Sequence, residues 1–380
     1  MKLLSDHVRR GYGSSGTLMT SDQADEDSSD ALMHPELNKN NREIIGLATH
    51  KVAVDFDARS RLETKPIPVV SEANIVVGML LGTGGFNEVI SVTTKRPDSH
   101  EREKVLAMKR LLPSVMQTED DFYGAALDLV LEARILNCLS HPNIVQLHGV
   151  SCDDDSLKTC YLDGRQYCLF LDVFYITVRE RFDEWRKDPR MRKQDLTRRL
   201  ETIALPISQA MEYLHSRHII FRDLKPENMG IDSEGTIKLF DFGLARETNP
   251  RQRLSSITGS RQYMAPEVAQ SQPYSLSADV FSFGVFLYEC CTLSNGKRRN
   301  FSICSATPRS LQVLTKQCLG KSATVRPSFG EIADQLCLQI HDMRLEDERK
   351  SKKNMKKLFL TRSSTAPTRA AFDERSHHTL

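Results

Sequence analysis

Two short strings carry the densest chemistry in this chain. His218-Ile219-Ile220-Phe221-Arg222-Asp223-Leu224-Lys225-Pro226-Glu227-Asn228 is followed closely by Lys238-Leu239-Phe240-Asp241-Phe242-Gly243. Together they supply two acids, a lysine and an asparagine. One carboxylate of such a set can accept a proton from a hydroxyl, while Asn228 and Asp241 offer the hard oxygen ligands that magnesium requires.

A second group lies upstream. Leu81-Gly82-Thr83-Gly84-Gly85-Phe86-Asn87-Glu88-Val89 is a glycine-rich turn between two apolar runs, and its glycines let backbone amides approach a phosphate closely. Taken alone, it reads equally well as a hairpin turn with no ligand. A strand on each side argues against a dinucleotide-binding turn, which needs a helix after the glycines. Lys109 follows Ala107 and Met108 on the next apolar run, where an inward ammonium is costly unless it meets a phosphate or a carboxylate. Glu132 offers that carboxylate, although a strand lysine and a helix glutamate, each by itself, are commonly plain surface residues.

These groups need elements to position them. ANIVVGMLLGTGGFNEVISVTT predicts two strands around the turn, and KVLAMKRLL a third with Lys109 near its end. Phe122, Leu127, Val130, Leu131, Ile135, Leu136 and Leu139 fall at helical spacing, which predicts one long amphipathic helix carrying Glu132. IVQLHGVSC and QYCLFLDVF read as strands separated by DDDSLKTCYLDGR, expected to be an extended hairpin loop. Beyond Phe174 the pattern is mainly helical, with helices expected at 195–216, 277–292, 308–319 and 328–346 and short strands within 229–240. Residues 1–70 are expected to be mostly disordered. Within them, Glu43 to Phe56 has the apolar content for a strand or a helix, and the pattern does not choose between the two. The last residues form a basic run, RKSKKNMKK, read first as a solvated helix end, with nuclear import or acidic-lipid binding as the lesser reading, and a polar tail.

The chain has 380 residues, with 52 Lys and Arg against 50 Asp and Glu and 39% hydrophobic residues, ample for a large core in two lobes. A net charge of +2 gives no global attraction for nucleic acid, and none is expected as a partner. The nine cysteines include no C-x-x-C pair, which points to reduced thiols rather than a disulfide scaffold or a zinc site. Val280 to Cys291 is interrupted by Ser282 and Glu289 and falls short of the roughly 20 residues of a membrane span. No apolar signal core follows Lys2, Arg9 and Arg10, so a cytoplasmic or nuclear protein is expected.

With these residues in place, the sequence resembles the eukaryotic protein kinases over about residues 74–340, through the glycine turn, Ala107-Met108-Lys109, the Glu132 helix, RDLKPEN, DFG, Ala265-Pro266-Glu267, the ADVFSFG run from Ala278 and Arg326-Pro327-Ser328. The resemblance implies an α+β, bilobal fold. A small antiparallel β-sheet N-lobe with one long helix would span 74–174, a mainly helical C-lobe 175–340, and a basic and polar tail 341–380. It implies ATP and Mg²⁺ as cofactors and a protein substrate. ATP would lie against Leu81, Gly82, Thr83, Gly84, Gly85, Phe86, Val89 and Ala107, with Lys109 on its α- and β-phosphates and paired to Glu132. Asp223 would orient and deprotonate the substrate hydroxyl, Lys225 would neutralise the transferring phosphate, and Asn228 and Asp241 would hold Mg²⁺. Arg326 would pair with Glu267, and Asp279 would anchor the loop bearing Asp223.

Lys225 within DLKPEN resembles serine/threonine rather than tyrosine kinases. HPNIVQLHGV, DVFSFGVFLYE and RPSFGEI look most like the tyrosine-kinase-like group of serine/threonine kinases. An upstream kinase acting near Ser256 is expected, with Ser255 and Thr258 as alternatives. The chain departs from the family pattern at Asn87, where a third loop glycine is usual, at Phe221, where histidine is usual, and at Gly230, where a bulky apolar residue forms the floor under adenine. The Gly230 floor is therefore expected to be roomy. The connection between Glu289 and Leu311 is short and lacks the usual docking helix. The competing readings are a pseudokinase scaffold, expected to have lost Lys109, Asp223 or Asp241, and a small-molecule kinase, which rarely combines KPEN with APE.

Overall fold

The computed structural model describes residues 39–94, 103–117, 119–153, 156–157, 160–161, 166–188, 196–249, 253–294 and 307–363. Its first lobe is a five-stranded antiparallel sheet. The strands are β1 (Ile75–Thr83), β2 (Asn87–Thr94), β3 (Lys104–Leu111), β4 (Leu147–Val150) and β5 (Leu169–Leu171), in the order β1-β2-β3-β5-β4. Register places Val89 opposite Lys109 and Ala107 opposite Leu171, so the inward face of three strands converges where the lysine emerges. Leu106, Ala107, Met108 and Lys109 are all buried, since β3 is central and covered on both faces.

Two helices lie on this lobe. α1 (Lys39–Arg59) resolves the choice left open by the sequence. Its buried positions Ile45, Thr49 and Ala53 form a narrow stripe of mostly small residues, a weak periodic signal that becomes decisive only when a neighbour covers it. The expectation of a mostly disordered 1–70 thus gives way, over 39–59, to a packed helix; residues 1–38 lie outside those described. The neighbour is α2 (Glu119–Asn137), three acids in its first turn and ten buried residues along its length. The insert after β4 is not simply an extended loop. Leu157, Cys160 and Tyr161 are buried, and the Tyr161 ring meets Phe122 of α2 edge-on at 5.5 Å.

The second lobe is helical. α3 (Val178–Lys187), unforeseen from periodicity, starts on a capping box formed by Thr177 and Glu180. α4 (Leu196–Arg199) runs through a π-helical stretch, Leu200–Ala204, into α5 (Leu205–Ser216). Two small sheets follow: β7 (Ile219–Ile220) with β10 (Arg246–Glu247), and β6 (Ile176–Thr177), β8 (Met229–Ile231) and β9 (Ile237–Leu239). α6 (Pro266–Ala269) precedes α7 (Ser277–Thr292), of which 13 residues are buried, as suits an apolar run in the centre of a lobe. α8 (Arg309–Cys318) packs directly against α7. A Cβ on Gly284 would lie 2.8 Å from that of Cys318, so glycine permits this approach. Within the short connection, residues 295–306 lie outside those described. The last helix, α9 (Phe329–Ser363), runs well past the expected domain end at 340, and the described part of its basic run is exposed, as a solvated helix end should be.

No helix among the described residues is long and apolar enough to cross a membrane. Eight of the cysteines are described and all are free thiols. Burial in the helical lobe pushes the Cys290 thiol up to about 12, which keeps it protonated and inert.

Candidate active site

A cavity of about 460 Å³ opens between the lobes. The glycine turn, Val89, Ala107, Lys109 and Glu132 line it from the sheet side, and Asn228, Phe240 and Asp241 from the helical side. Leu81, expected to touch the nucleotide, is buried in the core and is not among the residues that line the cavity. At the turn, the Gly84 amide donates to the Asn87 carbonyl at 2.6 Å. A Cβ at Gly85 would meet nothing within 4 Å and one at Gly84 only the Asn87 carbonyl oxygen at 3.6 Å, so packing requires neither glycine and the space above the cavity is clear at both. Asn87 sits in β2 with an ordinary negative φ, and its tolerance of left-handed backbone goes unused.

Lys109 is where the chemistry concentrates. Its ammonium donates to Glu132 Oε2 at 2.7 Å and Oε1 at 2.9 Å, and to Asp241 Oδ1 at 2.9 Å. Burial alone would lower the lysine pKa, but the charges of Asp241 and Glu132 outweigh it and hold the group above its ordinary value. Lys109 in turn holds Asp241 below the usual carboxylate range. The neighbouring backbone reinforces the arrangement, because the Phe242 amide donates to Glu132 Oε1 at 3.2 Å. Asp241 itself sits at φ 64°, a left-handed conformation that costs about 1–3 kcal/mol in a non-glycine residue and persists only when its surroundings impose it.

Asp223 lies beside this cavity. Lys225 Nζ donates to its Oδ2 at 2.7 Å and Asn228 Nδ2 to the same oxygen at 3.0 Å, while the Ser260 amide donates to Oδ1 at 2.8 Å. Lys225 also donates to the Ser260 hydroxyl at 2.9 Å. Both carboxylate oxygens are therefore fixed in direction. The loop is anchored from beneath by Asp279, which accepts the Phe221 and Arg222 amides, each at 2.8 Å, and lies 3.0 Å from His215 Nε2. That anchor holds Arg222 at φ 71°. Phe221 packs edge-on against Phe242 at 5.1 Å and is fully buried, so phenylalanine fills the place expected of histidine through apolar contact. Arg326 clasps Glu267 with bonds of 2.6 and 2.8 Å.

The roomy floor expected at Gly230 is corrected by the structure. A Cβ on Gly230 would sit inside the Phe174 ring, which occupies that space and stacks on Phe240 at 5.1 Å. Phe174 and Ser260 are the residues that sequence reading missed. Phe174 closes an apolar strand run and carries no signal of its own; Ser260 follows Gly259, whose φ of 100° brings the chain against the Arg222 carbonyl, a close approach that only the fold reveals.

As to a metal, Asn228 donates through its amide nitrogen to Asp223, which leaves its amide oxygen for ligation beside the Asp241 carboxylate. One carboxylate and one amide oxygen make a hard but incomplete donor set, suited to Mg²⁺, which keeps several waters and takes its remaining ligands from phosphate. No cluster of three or more acidic, histidine or cysteine ligands occurs among the described residues.

Comparison with known proteins agrees with this geometry. The ribosomal protein S6 kinase alpha-3 of Homo sapiens is 33% identical over 214 residues, covering 56% of this chain and 26% of the relative. An aurora kinase of Dictyostelium discoideum is 32% identical over 213 residues, covering 56% of this chain and 49% of the relative. The chain thus spans about a quarter to a half of the length of these relatives. The protein kinase domain family matches residues 75–346, the span that contains the glycine turn, the Lys109–Glu132 pair and both acidic loops, and the chain belongs to that family.

Proposed function

We propose that the protein is an ATP-dependent serine/threonine kinase that transfers the γ-phosphate of Mg-ATP to a protein hydroxyl. The observation that carries the reading is the assembled triad of Lys109, Glu132 and Asp241 facing a cavity roofed by unobstructed glycines. Phosphoryl transfer needs positioning and charge neutralisation more than covalent chemistry. In this reading Lys109 holds the α- and β-phosphates, Val89 and Ala107 cover the adenine, and Asp223 orients the acceptor hydroxyl and takes its proton. Lys225 reaches the transferring phosphate by leaving its resting partners, Asp223 and Ser260. Asn228 and Asp241 hold Mg²⁺, which supplies charge neutralisation between the phosphates. The Lys225–Ser260–Asp223 contacts support a hydroxyl acceptor held at this point. The named relatives are S6 and aurora kinases, so the likeness of short motifs to the tyrosine-kinase-like group does not refine the reading further.

Ser256 supports regulation by an upstream kinase. It is exposed, and its hydroxyl lies 3.5 Å from Arg222 Nη1, so a phosphate there would meet a guanidinium fixed beside Asp223. The test of the function is phosphate incorporation into the protein itself and into a generic basic protein with Mg-ATP, wild type against Asp223→Ala. Transfer by the wild type alone supports the reading. Nucleotide binding with no transfer favours a pseudokinase scaffold instead.

A further inference from the structure

Ahead of the region that matches the kinase family lies a segment that the family does not account for, and it contacts the elements surrounding Glu132. α1 exposes most of its surface but buries Ile45, Thr49 and Ala53 at four-residue intervals, one stripe down one face. Thr49 donates its hydroxyl to the Ile45 carbonyl at 2.8 Å, so its polar atom is satisfied within the helix. Two side-chain bonds tie α1 to α2 at opposite ends. Asn41 Nδ2 donates to Glu119 Oε2 at 2.9 Å, and Arg134 Nη1 donates to Asp57 Oδ2 at 3.1 Å. Residues 41 and 57 are separated by nearly the same interval as 119 and 134, so the helices run parallel and in step.

Arg134 and Glu132 are both almost fully buried, at 3% and 2% exposure. Two residues along a helix turn the side chain through about 200°, so α2 presents Arg134 to α1 while presenting Glu132 to Lys109 on its other side. Beyond α1 the chain continues to grip the same neighbourhood. Ser60 Oγ donates to Glu247 Oε2 at 2.7 Å and the Arg61 amide donates to Glu247 Oε1 at 2.9 Å, on β10 just after Asp241-Phe242-Gly243. Asn137, at the end of α2, donates to the Lys65 carbonyl at 2.5 Å. Val70 and Pro68 then exchange backbone bonds with Val150 of β4, each 2.9 Å. Gly149 makes room for this, since a Cβ there would lie 2.6 Å from the Pro68 carbonyl oxygen.

We propose that Lys39–Val70 is a brace built into this chain that fixes α2 against β10 and β4 and thereby holds Glu132 on Lys109, with Asp57 and Ser60 as positioning residues. The proposal rests on the kinase reading for its activity measurements only. Because Ser60 and Arg61 are bonded to Glu247 and Pro68 and Val70 to Val150, α2 can swing away from Lys109 only by leaving α1, at the loss of the Asp57 and Asn41 contacts, or by pulling on these bonds, so the brace favours the arrangement with Glu132 engaged.

The test uses the full chain. Asp57→Ala and Ser60→Ala are each expected to lower kcat/KM by about tenfold and to raise KM for ATP, with Asp57→Glu recovering most of the loss. A double-mutant cycle separates positioning from general damage: in a Glu132→Gln background, Asp57→Ala should change kcat/KM by less than about twofold. Additive losses, or full activity in Asp57→Ala, would overturn the proposal. Amide hydrogen exchange provides a readout independent of activity. Asp57→Ala should speed exchange in residues 119–137 and leave α7 amides unchanged, whereas equal acceleration in both would show a loss of global stability and sink the idea. If the wild type transfers no phosphate, the kinase reading fails and the exchange comparison still decides on the brace.

Discussion

Lys109 and Asp241 show how a single contact sets the electrostatics of the site, since each holds the other in its charged form. Lys109→Met and Asp241→Asn are each expected to reduce phosphate transfer by about 10³-fold or more while the melting transition remains cooperative, because the charge lost is one that acts on the transition state. Activity within a few-fold of wild type in either variant would refute the roles assigned. Gly230 makes the opposite point about residue identity. Because Phe174 already fills the floor, Gly230→Leu is expected to destabilise the fold by about 1–3 kcal/mol through overpacking and to raise KM for ATP as the ring is pushed toward the cavity. Combining it with Phe174→Ala should recover much of both, measured by thermal melting and ATP titration. A lowered KM in the single variant would mean that the floor is open after all.

At the scale of elements, the segment from Gly243 to Ala265 is pinned at Leu254, which exchanges two backbone bonds with Tyr274, and at Ser260 on Asp223 and Lys225, while Ser256 between them stays exposed. Ser256 is linked to Tyr274 through its backbone carbonyl at 2.9 Å and to Thr258 through its hydroxyl at 3.2 Å, both of which leave it open to solvent. Phosphorylation there would add charge-assisted bonds to Arg222, whose Nε already donates to the Leu244 carbonyl at 2.6 Å. Treatment with a phosphatase is expected to lower the activity of phosphorylated protein, and Ser256→Ala to remove that sensitivity. Equal activity before and after treatment would count against regulation at this segment.

Across the whole molecule, Asp172 joins the two lobes. It lies at the end of β5 and accepts from His148 of β4 at 2.8 Å, from Lys238 of β9 at 2.7 Å and from the Gln146 amide at 3.0 Å. Burial opposes its ionisation, but these bonds outweigh burial and hold its carboxyl well below the ordinary value of 3.8. A carboxylate with a depressed folded-state pKa contributes stability that is present in full above its unfolded value and is lost as pH falls through the folded one. Asp172→Asn should therefore lower stability near neutral pH and make the acid limb of the stability curve shallower below about pH 4. An unchanged acid limb in urea titrations at several pH values would remove Asp172 from that role.

Much of this protein is legible in one dimension. Strong local signals, such as the apolar run of β3, the apolar period of α2 and the largely apolar run of α7, survive into the fold because burial of those positions dominates their energy. Lys109, Asp223, Asn228 and Asp241 stand out through the strings that carry them taken together, and the fold brings Lys109, Asn228 and Asp241 to one cavity with Asp223 bonded to Asn228 beside it. What the tertiary structure alone decided are the matters settled by neighbours distant in sequence. α1 has a stripe too weak to declare a helix until α2 covers it; Phe174 looks like any strand-end aromatic until Gly230 leaves its space; Ser260 is a plain loop hydroxyl until a left-handed glycine turns it onto Asp223. In each case the stabilising contact lies between segments that share no local pattern, and a sequence encodes such a contact only through the packing of the whole chain.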